Sequence, residues 1–216
     1  NKFLGKKVQL LKFYGLDTYA KIFINGSLFI ESNNMFHPWE VNVKGIFKLG
    51  KNEILVSFDS PIKKILPKMD EMKYELPADN DQIKKTSPHT RKAPFHYGWD
   101  WGPSFATCGI WQSVEVIAYD FFTINDVHID QKEINYHNAN IDINIDIISE
   151  AELEADLLIV EPKSKISISK SVKLRKGKNN FHRVIEIINP ELWWPNGHGA
   201  QNMYVFGISI KDNDCI

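Results

Sequence analysis

The side chains best placed to act on a ligand lie in one run, Phe95-His96-Tyr97-Gly98-Trp99-Asp100-Trp101-Gly102-Pro103. A carboxylate between two indoles suits sugar recognition. Pyranose rings offer apolar C–H faces to Trp and hydroxyls that donate to Asp. The glycines and Pro103 imply a constrained backbone able to hold these groups still. The same residues also permit a packing role, with Trp99 and Trp101 in a core and Asp100 capping a turn. Aromatic residues are commonly buried, so residue type alone leans towards packing.

Two further aromatic clusters read as structural. Asn34-Met35-Phe36-His37-Pro38-Trp39 is expected at a packed edge or corner, and Leu192-Trp193-Trp194-Pro195-Asn196-Gly197-His198-Gly199 in a packed loop at a domain junction. No Gly-rich phosphate loop and no Gly-x-Ser-x-Gly elbow is present. The seven histidines show no metal-ligand spacing, and carboxylates such as Asp142 and Asp146 fall on an outward strand face. Neither a metal nor a cofactor is expected.

The bulk properties narrow the partners. The 216 residues suffice for one large domain or two small ones, and 26 Lys and Arg nearly balance 27 Asp and Glu. A net charge of −1 implies no basic face, which argues against nucleic acid. Cys108 and Cys215 are too few and too far apart for a disulfide framework and read as reduced thiols. No apolar run approaches the roughly 20 residues that span a membrane. The first residues, Asn1-Lys2-Phe3-Leu4-Gly5, lack an initiating Met and a signal peptide, so an internal segment or trimmed chain is expected and the compartment is not readable.

The elements that must position these residues are strands. Period-two alternation recurs along the chain, most plainly in Ile141, Ile143, Ile145 and Ile147. Leu153 to Ile159, Ile166 to Leu174, Phe181 to Ile187 and Tyr204 to Ile210 repeat it. Ile110, Val114, Val116 and Ala118, with Gln112 in phase, read as one strand, and Ile54, Val56 and Phe58 as another. Asn25-Gly26 between apolar runs predicts a type I′ hairpin. Ser60-Pro61 predicts a helix start, with Ile62, Ile65, Leu66, Met69 and Met72 on one face, limited by Pro67 and ended by Pro77. Residues 78–92 read as a long loop, usually functional or disordered. The fold class is all-β: a partial jelly-roll sandwich over 1–120, then an immunoglobulin-like sandwich over 121–216 with six strand-like runs, the boundary lying near Tyr119–Phe122.

Several stretches resemble glycoside hydrolase family 2. Residues 13–26, Asn33 to Trp39 and Leu49 to Val56 are similar to its sugar-binding jelly roll. Arg91-Lys92-Ala93, Phe95 to Pro103 and Gly109-Ile110-Trp111 are similar to its β-mannosidase branch in particular, and Leu192 to Gly197 to a late loop of its immunoglobulin-like domain. The resemblance covers nearly the whole chain. It implies a parent enzyme that hydrolyses terminal, non-reducing β-D-mannose with retention, using two Glu residues on a (β/α)₈ barrel. It further implies that a jelly-roll loop contacts the sugar through Trp99 and Asp100, with Trp101 beside them. The opening jelly-roll strands and the barrel are expected to lie outside this chain, and, with six runs where an immunoglobulin-like sandwich has about seven strands, a last strand of the second sandwich can lie outside it too. The chain alone is then expected to be inactive and to bind a β-mannoside or related glycan only weakly. Two other readings stand beside this one: a carbohydrate-binding module without catalysis, and a structural brace.

Overall fold

The computed structural model describes residues 3–78, 81 and 84–212. The chain divides into two compact units, Asn1–Tyr119 and Asp120–Ile216. Both are antiparallel β-sandwiches, as their period-two alternation requires.

The first unit begins with strands β1 (Val8–Phe13), β2 (Leu16–Asp17), β3 (Tyr19–Ile24), β4 (Ser27–Glu31), β5 (Trp39–Asn42) and β6 (Ile54–Asp59). Helix α1 (Pro61–Asp70), two 3-10 turns (Ser87–His89 and Pro94–Tyr97), β7 (Gly109–Ile110) and β8 (Val114–Tyr119) complete it. The sheets run β5-β1-β8, β4-β3-β6 and β2-β7. Alternate residues of β1 (Leu11, Phe13) and β3 (Ala20, Ile22, Ile24) point into one core, joined by Ile30 and Val43. Burying each of the Leu, Ile, Val and Phe side chains among them contributes about 1.5–3 kcal/mol. The β3–β4 hairpin turns at Asn25-Gly26, both with positive φ (49° and 87°), so the expected type I′ geometry forms. Asn25 does more than turn the chain: its amide donates to Ile46 O and Asn52 Oδ1 and accepts from Glu53 N.

Two expectations about this unit need correction. Residues 110–118 are not one strand. Phe13 pairs with Val114 but Leu16 with Ile110, so residues 111–113 face only residues 14 and 15. The extra residue shifts the register by one and breaks the alternation into β7 and β8. Helix α1 does start at the Ser60 cap, whose hydroxyl accepts from Lys63 N. However, it passes through Pro67 and stops at Asp70, well before Pro77. Pro67 lacks the N–H that would bond Lys63 O, and one further turn is all that follows. Of the expected apolar face, only Ile65 is fully buried.

The 78–92 segment is well tied where described. Asp81, 3% exposed, accepts from the backbone N–H of Lys84, Thr86 and Ser87 and from the Thr86 hydroxyl. Residues 79, 80, 82 and 83 lie outside the described residues. Cys108 is a free, exposed thiol; Cys215 also lies outside them.

The second unit consists of β9 (Phe122–Ile134), β10 (Asn138–Ser149), β11 (Leu153–Glu161), β12 (Ile166–Leu174), β13 (Gly177–Ile188) and β14 (Gly207–Asp212). They form two antiparallel sheets, β13-β10-β9 and β12-β11-β14. Ile141, Ile143, Ile145 and Ile147 of β10 meet Ala155, Leu157 and Ile159 of β11, with Val172, Leu174, Ile185 and Ile187 around them. Tyr204 and Phe206 pack against this core but precede β14. At the β11–β12 turn Glu161 is 1% exposed and accepts from Lys163 N and Ser164 N. Burial pushes its carboxyl up, but these N–H groups outweigh it and hold the carboxyl below the ordinary value. The Trp193-Trp194 loop is not packed as expected. Trp194 N donates to Ala200 O and a Cβ on Gly199 would meet the Trp194 ring, yet the two indoles are 52% and 38% exposed.

Candidate sugar-binding loop

The stem of the loop is Arg91–Ala93, laid beside Asn34–Met35. Asn34 and Arg91 form a parallel bridge, Met35 N donates to Arg91 O at 3.0 Å, and Ala93 N donates to Met35 Sδ at 3.0 Å. Lys92 then turns inward. Its ammonium pairs with Asp17 Oδ2 and donates to Thr107 O at 2.8 Å, while Thr18 Oγ1 donates to the other Asp17 oxygen. The Lys92 and Asp17 side chains are 0% and 6% exposed, so both charges have left water and each depends on the other. Because Thr107 lies beyond the aromatic run, Lys92 fastens both ends of the loop to β2.

Two more contacts stiffen the stem. Trp111 Nε1 donates to Met35 O at 3.0 Å. The Trp111 ring lies over Gly15, where a Cβ would sit 2.4 Å from Nε1, so only glycine fits beneath it. Tyr97 is 2% exposed, and burial pushes its phenol up. The Thr90 hydroxyl lies close by but donates to Thr86 O, and the Tyr97 hydroxyl reaches no partner in hydrogen-bond geometry among the described residues.

The tip rises from this stem. Phe105 N donates to His96 O at 2.9 Å and Gly98 N to Phe95 O at 3.3 Å. Gly98 has φ 113° and ψ 177°, a conformation that suits glycine and redirects the chain outward. Gly102 N then donates to Trp99 O at 3.2 Å, closing a four-residue turn with Asp100 and Trp101 at its centre. The Trp99 and Trp101 rings meet edge to face at 5.8 Å and 70°. They are 47% and 83% exposed, which excludes the core role that residue type favoured. Asp100 is exposed, and among the described residues nothing donates to its carboxylate. The turn therefore presents a free acceptor between two indoles, an arrangement fitted to hydroxyls beside an apolar ring face.

Sequence reading singled out Trp99, Asp100 and Trp101, and the structure brings all three together on one turn. It missed the parts that hold them: the Lys92–Asp17 pair, Thr107 and the Trp111–Gly15 contact. It also missed the exposed Phe105, and Phe36, expected at a packed edge, is 61% exposed. Phe36, Phe95, His96, Cys108 and Trp111 line a cleft of about 480 Å³. Asp17 and Lys92 are 75 positions apart, and no local pattern marks them as partners. Among the described residues no group of three or more His, Cys, Asp or Glu could hold a metal ion, and no helix is long and apolar enough to cross a membrane.

Comparison with known proteins gives this architecture a family. Residues 1–112 match the "Glycosyl hydrolase 2 galactose-binding domain-like" family and residues 122–216 the "Glycosyl hydrolases family 2" domain. The chain belongs to glycoside hydrolase family 2. Its two units are the galactose-binding-like and immunoglobulin-like domains of that family, homologous to the N-terminal domains of β-mannosidases. Among its relatives is a probable β-mannosidase of Caenorhabditis elegans, 31% identical, the match covering 93% of this chain and 24% of the relative. A β-mannosidase of Capra hircus is 29% identical over 95% of this chain and 24% of its own length. The crystal structure of β-D-mannosidase from Dictyoglomus thermophilum is similar with a TM-score of 0.85 and 32% identity, over 98% of this chain and 26% of that one. An exo-chitosanase structure from Amycolatopsis orientalis, 16% identical with a TM-score of 0.71, shares the fold. The chain thus spans about a quarter of the length of the β-mannosidases it matches.

Proposed function

We propose that this chain is the non-catalytic front part of a β-mannosidase that removes terminal, non-reducing β-D-mannose residues, and that its Trp99-Asp100-Trp101 turn forms part of the sugar pocket. The observation that carries this reading is the turn itself: an exposed carboxylate with no protein partner among the described residues, between two exposed indoles, on a buried and cross-tied stem. A side chain left this open is arranged for something outside its own unit. The similarity to β-mannosidases over more than nine-tenths of the chain supports the substrate class.

In this reading Asp100 accepts hydrogen bonds from mannose hydroxyls while Trp99 shapes or stacks against the ring. The proton transfers and the attack at the anomeric carbon belong to two Glu residues of a (β/α)₈ barrel supplied by the rest of the protein. The 216-residue chain by itself is then inactive. Its affinity for mannose is very weak, since pockets normally enclose a ligand on several sides.

The test is Asp100→Ala in the full-length protein, assayed with an aryl β-D-mannopyranoside. A charge-assisted hydrogen bond that strengthens in the transition state is worth a few kcal/mol, so kcat/KM is expected to fall about 10²-fold. Unchanged kcat and KM would leave the sandwiches as a brace. Turnover by the 216-residue chain, or millimolar mannose binding to it, would overturn the division of labour.

A further inference from the structure

Arg91, the residue before the buried Lys92, is exposed and helps line a second depression. This groove holds about 360 Å³, within the usual range for small-ligand sites. Its floor comes from β3 and β4 with Asn33, and one wall from α1. Four cationic side chains line it: Lys21, Lys64, Lys68 and Arg91. Among the described residues two carboxylates line it with them, and both are engaged, Glu31 with Lys21 at 3.6 Å and Asp59 with Lys64 at 3.4 Å. Lys68 and Arg91 form no ion pair among the described residues.

The remaining lining is not that of a bare ion site. Tyr19 contributes a half-buried phenol, and Met72, just past α1, adds a 41% exposed apolar side chain above the buried Ile65. An aromatic ring and a thioether beside cations that form no ion pair among the described residues match a ligand with both an apolar face and a negative charge. The surroundings favour the same sign. Residues 1–119 hold 16 Lys and Arg against 12 Asp and Glu, a net +4, whereas residues 120–216 hold 10 against 15, a net −5. The chain's near-neutral total hides this division.

We propose that the groove between α1 and the β3–β4 hairpin binds a pyranose carrying an anionic substituent, held by Lys68 and Arg91. The anion pairs with the ammonium and the guanidinium, and the ring lies against Tyr19 and Met72. Carboxylate, sulfate and phosphate share this chemistry, and the groove distinguishes them by how well each meets the guanidinium fork. The site is independent of the Trp99-Asp100-Trp101 turn.

The experiment is a ¹H–¹⁵N NMR titration of the 216-residue chain with glucuronate, glucose 6-sulfate, glucose 6-phosphate and, as the neutral control, glucose. At least one anionic sugar should give saturable shifts confined to α1, β3, β4 and residues 89–91, binding about tenfold tighter than glucose, as two exposed charges warrant. Binding should weaken several-fold between about 20 mM and about 300 mM NaCl, where screening becomes strong. The Lys68→Gln/Arg91→Gln variant should fold normally, since both side chains are exposed and form no ion pair among the described residues, and should bind the anionic sugars no better than glucose. Four results would overturn the proposal: no localised shifts with any of the sugars; equal affinity for glucose; undiminished binding by the double variant; or inorganic phosphate matching the sugar phosphate, which would reduce the groove to an anion site.

Discussion

At the stem of the aromatic loop, Lys92 has no exposed side-chain surface and its ammonium is shared between Asp17 and Thr107. Nine residues further on, Trp101 is 83% exposed, and the neighbouring Asp100 has no partner among the described residues. Stem and tip lie on one continuous loop, yet one is satisfied entirely from within and the other hardly at all. A buried ion pair gives little net stability over an apolar pair, but it penalises any arrangement that separates its partners. It therefore fixes position. The tip gains nothing by packing and is free to be chosen for what it contacts. The difference separates residues that decide where the loop is from residues that decide what it does.

Breaking the stem should have the largest effect. Lys92→Met leaves Asp17 charged, buried and unpaired, and should cost about 3–5 kcal/mol, read from hydrogen exchange of β1 and β3 amides. Adding Asp17→Asn should recover much of that loss, because the stranded charge is gone. A single-variant cost below about 1 kcal/mol would mean that water reaches the pair, and the stem would lose its distinction from the tip. A milder break is Gly15→Ala. Its methyl would press on the Trp111 indole, with an expected cost of about 1–3 kcal/mol and loss of the Trp111 Nε1–H resonance position. The smallest effect is expected at the tip. Trp101→Ala should alter stability by no more than about 0.5 kcal/mol in the 216-residue chain while weakening mannoside turnover in the full-length protein. A destabilisation of 2 kcal/mol or so would show that the tip is packing after all.

Much of this was legible in the sequence, for identifiable reasons. The isoleucines of β10 announce themselves because one face meets a core and the other meets water, so the period is clean. Asn25-Gly26 is legible because few other pairs tolerate two positive φ values. The stretch Ile110 to Ala118 was misread because its register is set by a partner strand about 100 positions away, and an extra residue in a bulge leaves no mark on composition. The Trp99-Asp100-Trp101 cluster stood out, but its exposure did not. Whether an indole is inside or outside depends on what the rest of the unit places over it. Lys92 carries no mark of its burial, since nothing local tells a buried lysine from a solvated one.

The placement of the indoles has an optical consequence. The chain has six tryptophans, and none of them is fully buried. Folded and unfolded chains will therefore emit at similar wavelengths, and fluorescence will be a poor thermometer for this protein. Trp99 and Trp101, held edge to face at 5.8 Å, are close enough for their transitions to couple. They should give a paired circular-dichroism band that vanishes in either Trp99→Phe or Trp101→Phe. If the loop holds a sugar as proposed, that band would respond to the ring settling against the indoles, making the loop a reporter of its own occupancy.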